Sequence, residues 1–191
     1  VGTLMGEALV EACPDGGNIF AINGSPTDKN VEEVELGFRK ALKGSKLKIV
    51  YTGYCDNWLA EMAATHVNKG LEVTDDIVGV MCGNDDLASQ AVKVLAENRL
   101  AGQVALVAQD ADLAACQRIV EGTQSMTVYK PVDKLASRAA QETVRLIKGE
   151  TLECEYFLTE DGDQIPYIRL APVAVTLDNM QSVIIDSGFH L

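Results

Sequence analysis

Short, unbroken apolar runs alternate with segments of helical periodicity through residues 1–130, and that alternation narrows the possible folds more than any other feature of the chain. Strands are expected at 18–23, 47–53 ("LKIVYTG"), 76–83 ("DIVGVMCG"), 103–109 ("QVALVAQ") and 125–130 ("SMTVYK"). Runs this short and this apolar have no polar face, so both of their faces must be covered. Between them lie amphipathic stretches of helix length, at 31–44, 58–70, 87–102 and 113–122. Another, at 4–12, precedes the first run and ends at the break Pro14-Asp15-Gly16-Gly17. Gly44 follows the second stretch where a helix would stop. Strands joined by helices of this size make βαβ units with right-handed crossovers. The expectation is an α/β fold, a doubly wound parallel sheet of five main strands with helices on both faces.

After Pro131 the pattern changes. Residues 132–150 read as one long amphipathic helix closed by Gly149, and residues 150–164 as an acidic, irregular connection. Apolar sequence then resumes in "IPYIRLAPVAVTL" and "SVIIDSGF". A chain of 191 residues that is 47% hydrophobic can bury a real core. Its net charge of −12 argues against nucleic acid and anionic lipid as partners, since both require clustered Lys and Arg. No apolar stretch is long enough to span a bilayer. The opening "VGTLMGEALV" has no initiator Met and starts in mid-pattern, as a piece cut from a longer protein would. The cysteines (Cys13, Cys55, Cys82, Cys116 and Cys154) show no CxxC or Cys/His metal spacing and read as small buried apolar residues.

In an open parallel sheet, ligands sit beyond the carboxyl ends of the strands. Those ends deliver Ser25, Asp28 and Asn30; Asp56, Asn57 and Trp58; Asn84 and Asp85; Gln109 and Asp110; and Lys130. The set holds no Ser/His/Asp arrangement, no metal-ligand cluster and no glycine-rich phosphate loop. His66 falls in mid-helix and His190 near the end of the sequence. Amides, carboxylates, one ammonium and one indole suit a neutral polyhydroxyl compound: carboxylates accept from hydroxyl pairs, amides and Lys donate, and an aromatic face covers the C–H side of a ring. Taken singly, each residue has a plainer reading. Asp28, Asn84, Asp85 and Asp86 serve equally well as helix N-caps, Trp58 as core, and Lys130 as a solvated cation. The turn "TEDGDQ" at 159–164 has part of a calcium loop but lacks the full ligand ladder, and reads as a surface turn.

The stretches "GSPTDKN", "NWLAEMA", "GNDDLA" and "GQVALVAQDADLAACQRIVEGTQSMTVYKP", together with the closing "DSGFH", resemble the sugar-binding proteins of ABC importers that have the type I periplasmic fold. The resemblance implies a binding protein, not an enzyme, with no cofactor and no metal. It implies a monosaccharide ligand, D-xylose or a similar pentose, and a membrane permease of an ABC importer as partner. The positions that match the family's sugar ligands are Asn30, Trp58, Asn84, Asp110 and Lys130. Such proteins have two lobes, and their chain crosses the hinge three times. On that pattern residues 1–129 are the carboxyl-terminal lobe, 130–165 belong to the other lobe and the hinge crossings, and 166–191 return. Most of the amino-terminal lobe would then be absent, leaving the helix at 132–148 without a sheet to cover its apolar face. The expected location is periplasmic or at the cell surface, and the number of cysteines points to a cell-surface lipoprotein or an anaerobe. Two rivals stay open: the sugar-sensing core of a transcriptional regulator or receptor kinase, and a small-molecule enzyme of the doubly wound class. An upstream DNA-binding headpiece or membrane segment would favour the first, and sugar turnover the second.

Overall fold

A computed structural model describes residues 1–152, 154, 156–160 and 162–190. In chain order the elements are α1 (Gly2–Ala12), β1 (Gly17–Asn23), α2 (Lys29–Ala41), β2 (Leu47–Tyr54), α3 (Glu61–Val73), β3 (Gly79–Cys82), α4 (Asp85–Glu97), β4 (Ala105–Gln109), α5 (Leu113–Glu121) and β5 (Met126–Tyr129). They are followed by α6 (Val132–Ile147), β6 (Tyr156–Glu160), β7 (Asp163–Tyr167) and β8 (Val173–Val175). A 3-10 turn, Asp56–Trp58, precedes α3, and a π-type turn, Gln181–Ile185, follows β8.

The main sheet runs β2-β1-β3-β4-β5-β8. The first five strands pair in parallel, and β8 adds an antiparallel edge to β5. The doubly wound parallel sheet expected from the alternation is therefore present, with one further strand. Alternate strand residues feed two cores. Phe20, Ile22, Val80, Cys82, Leu106 and Ala108 meet α3 and α4 on one face. Ile19, Ala21, Met81, Val107, Met126 and Val128 meet α1 and α2 on the other. Two buried faces explain the continuous apolar runs, because a half-exposed strand would alternate. Full burial of a side chain such as Phe20 stabilises the fold by about 1.5–3 kcal/mol.

The helix ends follow local chemistry. Asp28 caps α2 and Asn84 caps α4 through side-chain oxygens, while Gly122, at φ +81°, closes α5 in the left-handed conformation that favours glycine. Helix α3 begins three residues later than the expected 58–70, because Asn57 and Trp58 sit at φ +51° and +58° and cannot continue a right-handed helix.

The chain divides into two compact units, 1–129 with 173–191, and 130–172. The second unit consists of α6 and the antiparallel hairpin β6–β7. Residues 150–164, read as irregular, thus include the hairpin strand β6 and the start of β7, and the second compact unit ends at Pro172. Leu135, Val144, Leu146 and Ile147 on α6 are exposed. The calcium-loop reading rests partly on Asp161, which lies outside the described residues, and no group of metal-ligating side chains occurs among the residues described. No described helix is long and apolar enough to cross a membrane.

Candidate binding site at the carboxyl edge of the sheet

Because β1 to β5 are parallel, their carboxyl ends lie along one edge of the sheet. The chain steps from β1 outward to β2, then crosses back to β3 on the other side of β1. The switch point therefore falls between β1 and β3, where an open α/β sheet splays its loops apart. Gly24 follows β1 and Gly83 follows β3, and both are held close. A Cβ on Gly83 would lie 2.7 Å from the Gly24 nitrogen. Trp58 packs against this junction. A Cβ on Gly24 would come within 2.3–2.4 Å of three indole carbons, and one on Gly83 within 3.2 Å of the same ring. Only glycine allows the ring so near the backbone at Gly24.

The indole is fixed at its polar end as well. Trp58 Nε1 donates to Asp28 Oδ2 at 3.1 Å, while the backbone N–H and side-chain Nδ2 of Asn30 donate to Asp28 Oδ1 at 2.9 and 3.0 Å. The Asn30 backbone N–H does most to hold the Asp28 carboxyl below the usual carboxylate range; burial opposes it, and the two side-chain donors add to it. Asp28 is thus both a helix cap and the acceptor that joins Asn30 to Trp58. Trp58 is half-buried and Asn30 exposed. Asn23, the last residue of β1, is buried, and its Nδ2 finds no hydrogen-bond partner among the described residues.

Asn84 lies beside Gly83 and caps α4, its Oδ1 accepting from Leu87 N at 2.9 Å. Gln109 turns inward and donates from Nε2 to the Gly83 carbonyl at 2.6 Å, tying the end of β4 to the end of β3. Asp110 follows it, half-buried, at φ +112°, and Ala111 is at φ +56°. Two consecutive non-glycine residues in this region store strain, of order 1–3 kcal/mol each, and need support from their surroundings. Asp110 N donates to Val128 O at 2.9 Å, Ala111 N to Thr127 Oγ1 at 3.1 Å, and Asp112 N to Asp85 Oδ2 at 3.1 Å. His190 Nε2 meets the Ala111 carbonyl at 2.8 Å.

Asp85 is therefore not at the open edge where its place in the sequence put it. It is fully buried and accepts from Gln124 Nε2 at 3.0 Å and Thr127 Oγ1 at 2.7 Å. Arg118, also buried, reaches Gln124 Oε1, Ser89 Oγ and the backbone carbonyl of Asp85. Burial pushes the Asp85 carboxyl up to about 6, against its three donors. Arg118, Gln124 and Thr127 were not candidates from sequence. An Arg within the apolar pattern of α5 was the available signal, but its partners on α4 lie about thirty residues away.

Asn30, Trp58, Asn84 and Asp110 all stand at the carboxyl edge of the first unit. Lys130 follows β5 directly and is the first residue of the second unit. Cys55, Cys82 and Cys116 are buried as expected, whereas Cys13 and Cys154 are only half-buried. Burial raises the thiols of Cys13, Cys55 and Cys82. Cys116 approaches His190 Nε2 at 3.9 Å, yet burial, with Asp85 and Asp112 nearby, pushes its thiol up to about 11, the opposite of an activated nucleophile.

The profile of the periplasmic binding protein domain family matches residues 1–151. The D-xylose-binding periplasmic proteins of Haemophilus influenzae and Escherichia coli are 38% and 37% identical to the chain over its whole length. The chain spans 58% and 59% of their respective lengths. A solved carbohydrate-transporter solute-binding protein from Chloroflexus aurantiacus, in complex with D-glucose, superposes with a TM-score of 0.84 at 22% identity, over 99% of this chain and 66% of that one. The doubly wound sheet, the polar residues gathered at its carboxyl edge and the profile match agree, and the chain belongs to the periplasmic binding protein domain family.

Proposed function

We propose that the chain is the carboxyl-terminal lobe of the solute-binding component of an ABC sugar importer, taking D-xylose or a similar pentose in a cleft that a second lobe closes. The observation that carries this reading is the group at the switch point: an indole fixed by Asp28 and flanked by Asn30 and Asn84, with Asp110 on the neighbouring strand end. Trp58 offers a flat apolar face to the C–H side of the ring, Asp110 accepts from a pair of sugar hydroxyls, and Asn30, Asn84 and Lys130 donate to ring and hydroxyl oxygens. The names of the two bacterial relatives, which cover the whole of this chain, favour D-xylose over other monosaccharides. The protein binds and releases the sugar unchanged, outside the cytoplasm, and presents its closed form to a membrane permease. On this reading residues 130–165 belong to the other lobe and the hinge crossings, and 166–191 return to the first lobe.

Calorimetric titration of the full-length polypeptide carrying this chain tests the reading, with D-xylose set against D-ribose, L-arabinose and D-glucose. Tight, saturable binding of D-xylose with the sugar recovered unchanged is expected. Binding of none of the four sugars, or their conversion by the pure protein, overturns it.

A further inference from the structure

We infer that Asp85 and Thr127 are positioning residues for sugar binding: touching no ligand themselves, they fix the strained Asp110–Asp112 backbone that presents the Asp110 carboxylate. The inference rests on the sugar-binding reading above and extends it to residues behind the cleft. Asp110 and Ala111 hold φ values of +112° and +56°, conformations that an L-residue keeps only when its neighbours impose them. Successive backbone N–H groups of this loop are each held by a group outside it. Asp110 N goes to the backbone carbonyl of Val128 on β5, at 2.9 Å. The next two go to side chains: Ala111 N to Thr127 Oγ1 at 3.1 Å and Asp112 N to Asp85 Oδ2 at 3.1 Å. These two side chains are joined to each other, Thr127 Oγ1 donating to Asp85 Oδ2 at 2.7 Å, so one hydroxyl and one carboxylate oxygen carry both contacts.

The pair is itself rigid. Both residues are fully buried; Asp85 opens α4 and Thr127 lies in β5. The other carboxylate oxygen of Asp85 is held by Gln124, whose Oε1 accepts from Arg118 Nε at 2.9 Å. A hydroxyl that donates to Asp85 while accepting from Ala111 has only one rotamer that serves both, which fixes the loop in one place. Carboxylate–hydroxyl recognition loses value steeply when the acceptor is misplaced. A residue behind the cleft therefore affects sugar affinity through the position of Asp110.

Thr127→Val keeps the shape of the side chain and removes the hydroxyl, and Thr127→Ser restores the hydroxyl. In the full-length polypeptide, Thr127→Val should weaken D-xylose binding by about tenfold or more, and Thr127→Ser should recover most of the loss. Amide exchange at Ala111 and Asp112 should speed up in Thr127→Val and return towards wild type in Thr127→Ser. Thr127→Ala takes the place of Thr127→Val if that variant does not fold. Wild-type binding with unchanged affinity in the hydroxyl-free variant overturns the positioning role while leaving the sugar reading intact. A wild-type protein that binds no monosaccharide overturns the sugar reading, and this inference with it.

Discussion

Replacing Asp85 by Asn should change how the stability of this chain responds to pH, in a window and direction set by the structure. Burial pushes the Asp85 carboxyl up to about 6, although Gln124, Thr127 and the backbone of Asp112 all donate to it. In the unfolded chain an Asp titrates near about 3.9. The folded state therefore holds the proton more tightly, and between these two values it carries more protons than the unfolded state. Stability contributed by Asp85 is full below about pH 4 and is lost as pH rises towards about 6, a fall of about 3 kcal/mol. Asn cannot ionise, so the variant lacks this fall. It also carries a pH-independent cost, because the new NH2 group faces the donor Nε2 of Gln124. The slope, not the offset, is thus the measurement: urea unfolding of both proteins at intervals from pH 4 to 6.5, followed by circular dichroism. Other carboxyls titrating in the window are common to both proteins and cancel in the difference. Asp112 is the nearest exception, since its charge also acts on Asp85. A difference that stays flat, or that moves in favour of the wild type as pH rises, would show an Asp85 ionised and stabilised by Arg118, and would refute the reasoning.

Gly24→Ala should drive the indole of Trp58 off its seat and break its bond to Asp28, since the new Cβ falls within 2.3–2.4 Å of three ring carbons; a destabilisation of about 1–3 kcal/mol and a red-shifted emission are expected, and unchanged emission and unfolding would sink the idea. In the full-length polypeptide, Trp58→Ala should weaken D-xylose binding by about 1–3 kcal/mol, and equal affinity would show that the ring is only core. Asp110→Asn keeps the shape and removes the charge, so calorimetry should find affinity reduced by about 1–3 kcal/mol, while wild-type affinity would make this carboxylate structural. The 191-residue chain on its own should fold yet bind sugar poorly, because one wall leaves the hydroxyls to water; micromolar affinity from a monodisperse monomer would contradict this.

The parallel sheet was legible in the sequence because burial on both faces leaves apolar runs with no alternation, as in Val104 to Ala108. Once the strands are parallel, their carboxyl ends follow from chain direction alone, which placed Asn30, Trp58, Asn84 and Asp110 on one edge. Distance in sequence hid the rest. Asp85 meets Gln124 and Thr127 across 39 and 42 residues, and Trp58 meets Asp28 across 30, and no local pattern announces such pairs. The left-handed backbone at Asn57, Trp58, Asp110 and Ala111 was equally hidden, since none of these residues is glycine. The strands of the β6–β7 hairpin were hidden because acidic residues and Pro166 break the apolar alternation that marks a strand.

Capping and ligand binding compete for the polar residues at strand ends, and three loops resolve that competition differently. After β1, Asp28 caps α2 with one oxygen and holds Trp58 with the other, so the cap itself fixes the indole. After β3, Asn84 caps α4 through Oδ1, which leaves the Nδ2 end of the amide outside the cap. After β4, the residue at the cap position of α5 is Asp112, whose side chain makes no capping bond. Its backbone N–H is instead taken by Asp85 from the neighbouring helix. Asp110 stands two residues ahead of that position, separated from the helix by the left-handed turn at Ala111. A relaxed loop would let an Asp near a helix start fold back onto the N-terminal amides, where capping gains about 1 kcal/mol. The left-handed backbone at Asp110 and Ala111, held by Val128 and Thr127, sets Asp110 off from the helix axis at the carboxyl edge of the sheet, the placement that the proposed sugar contact needs.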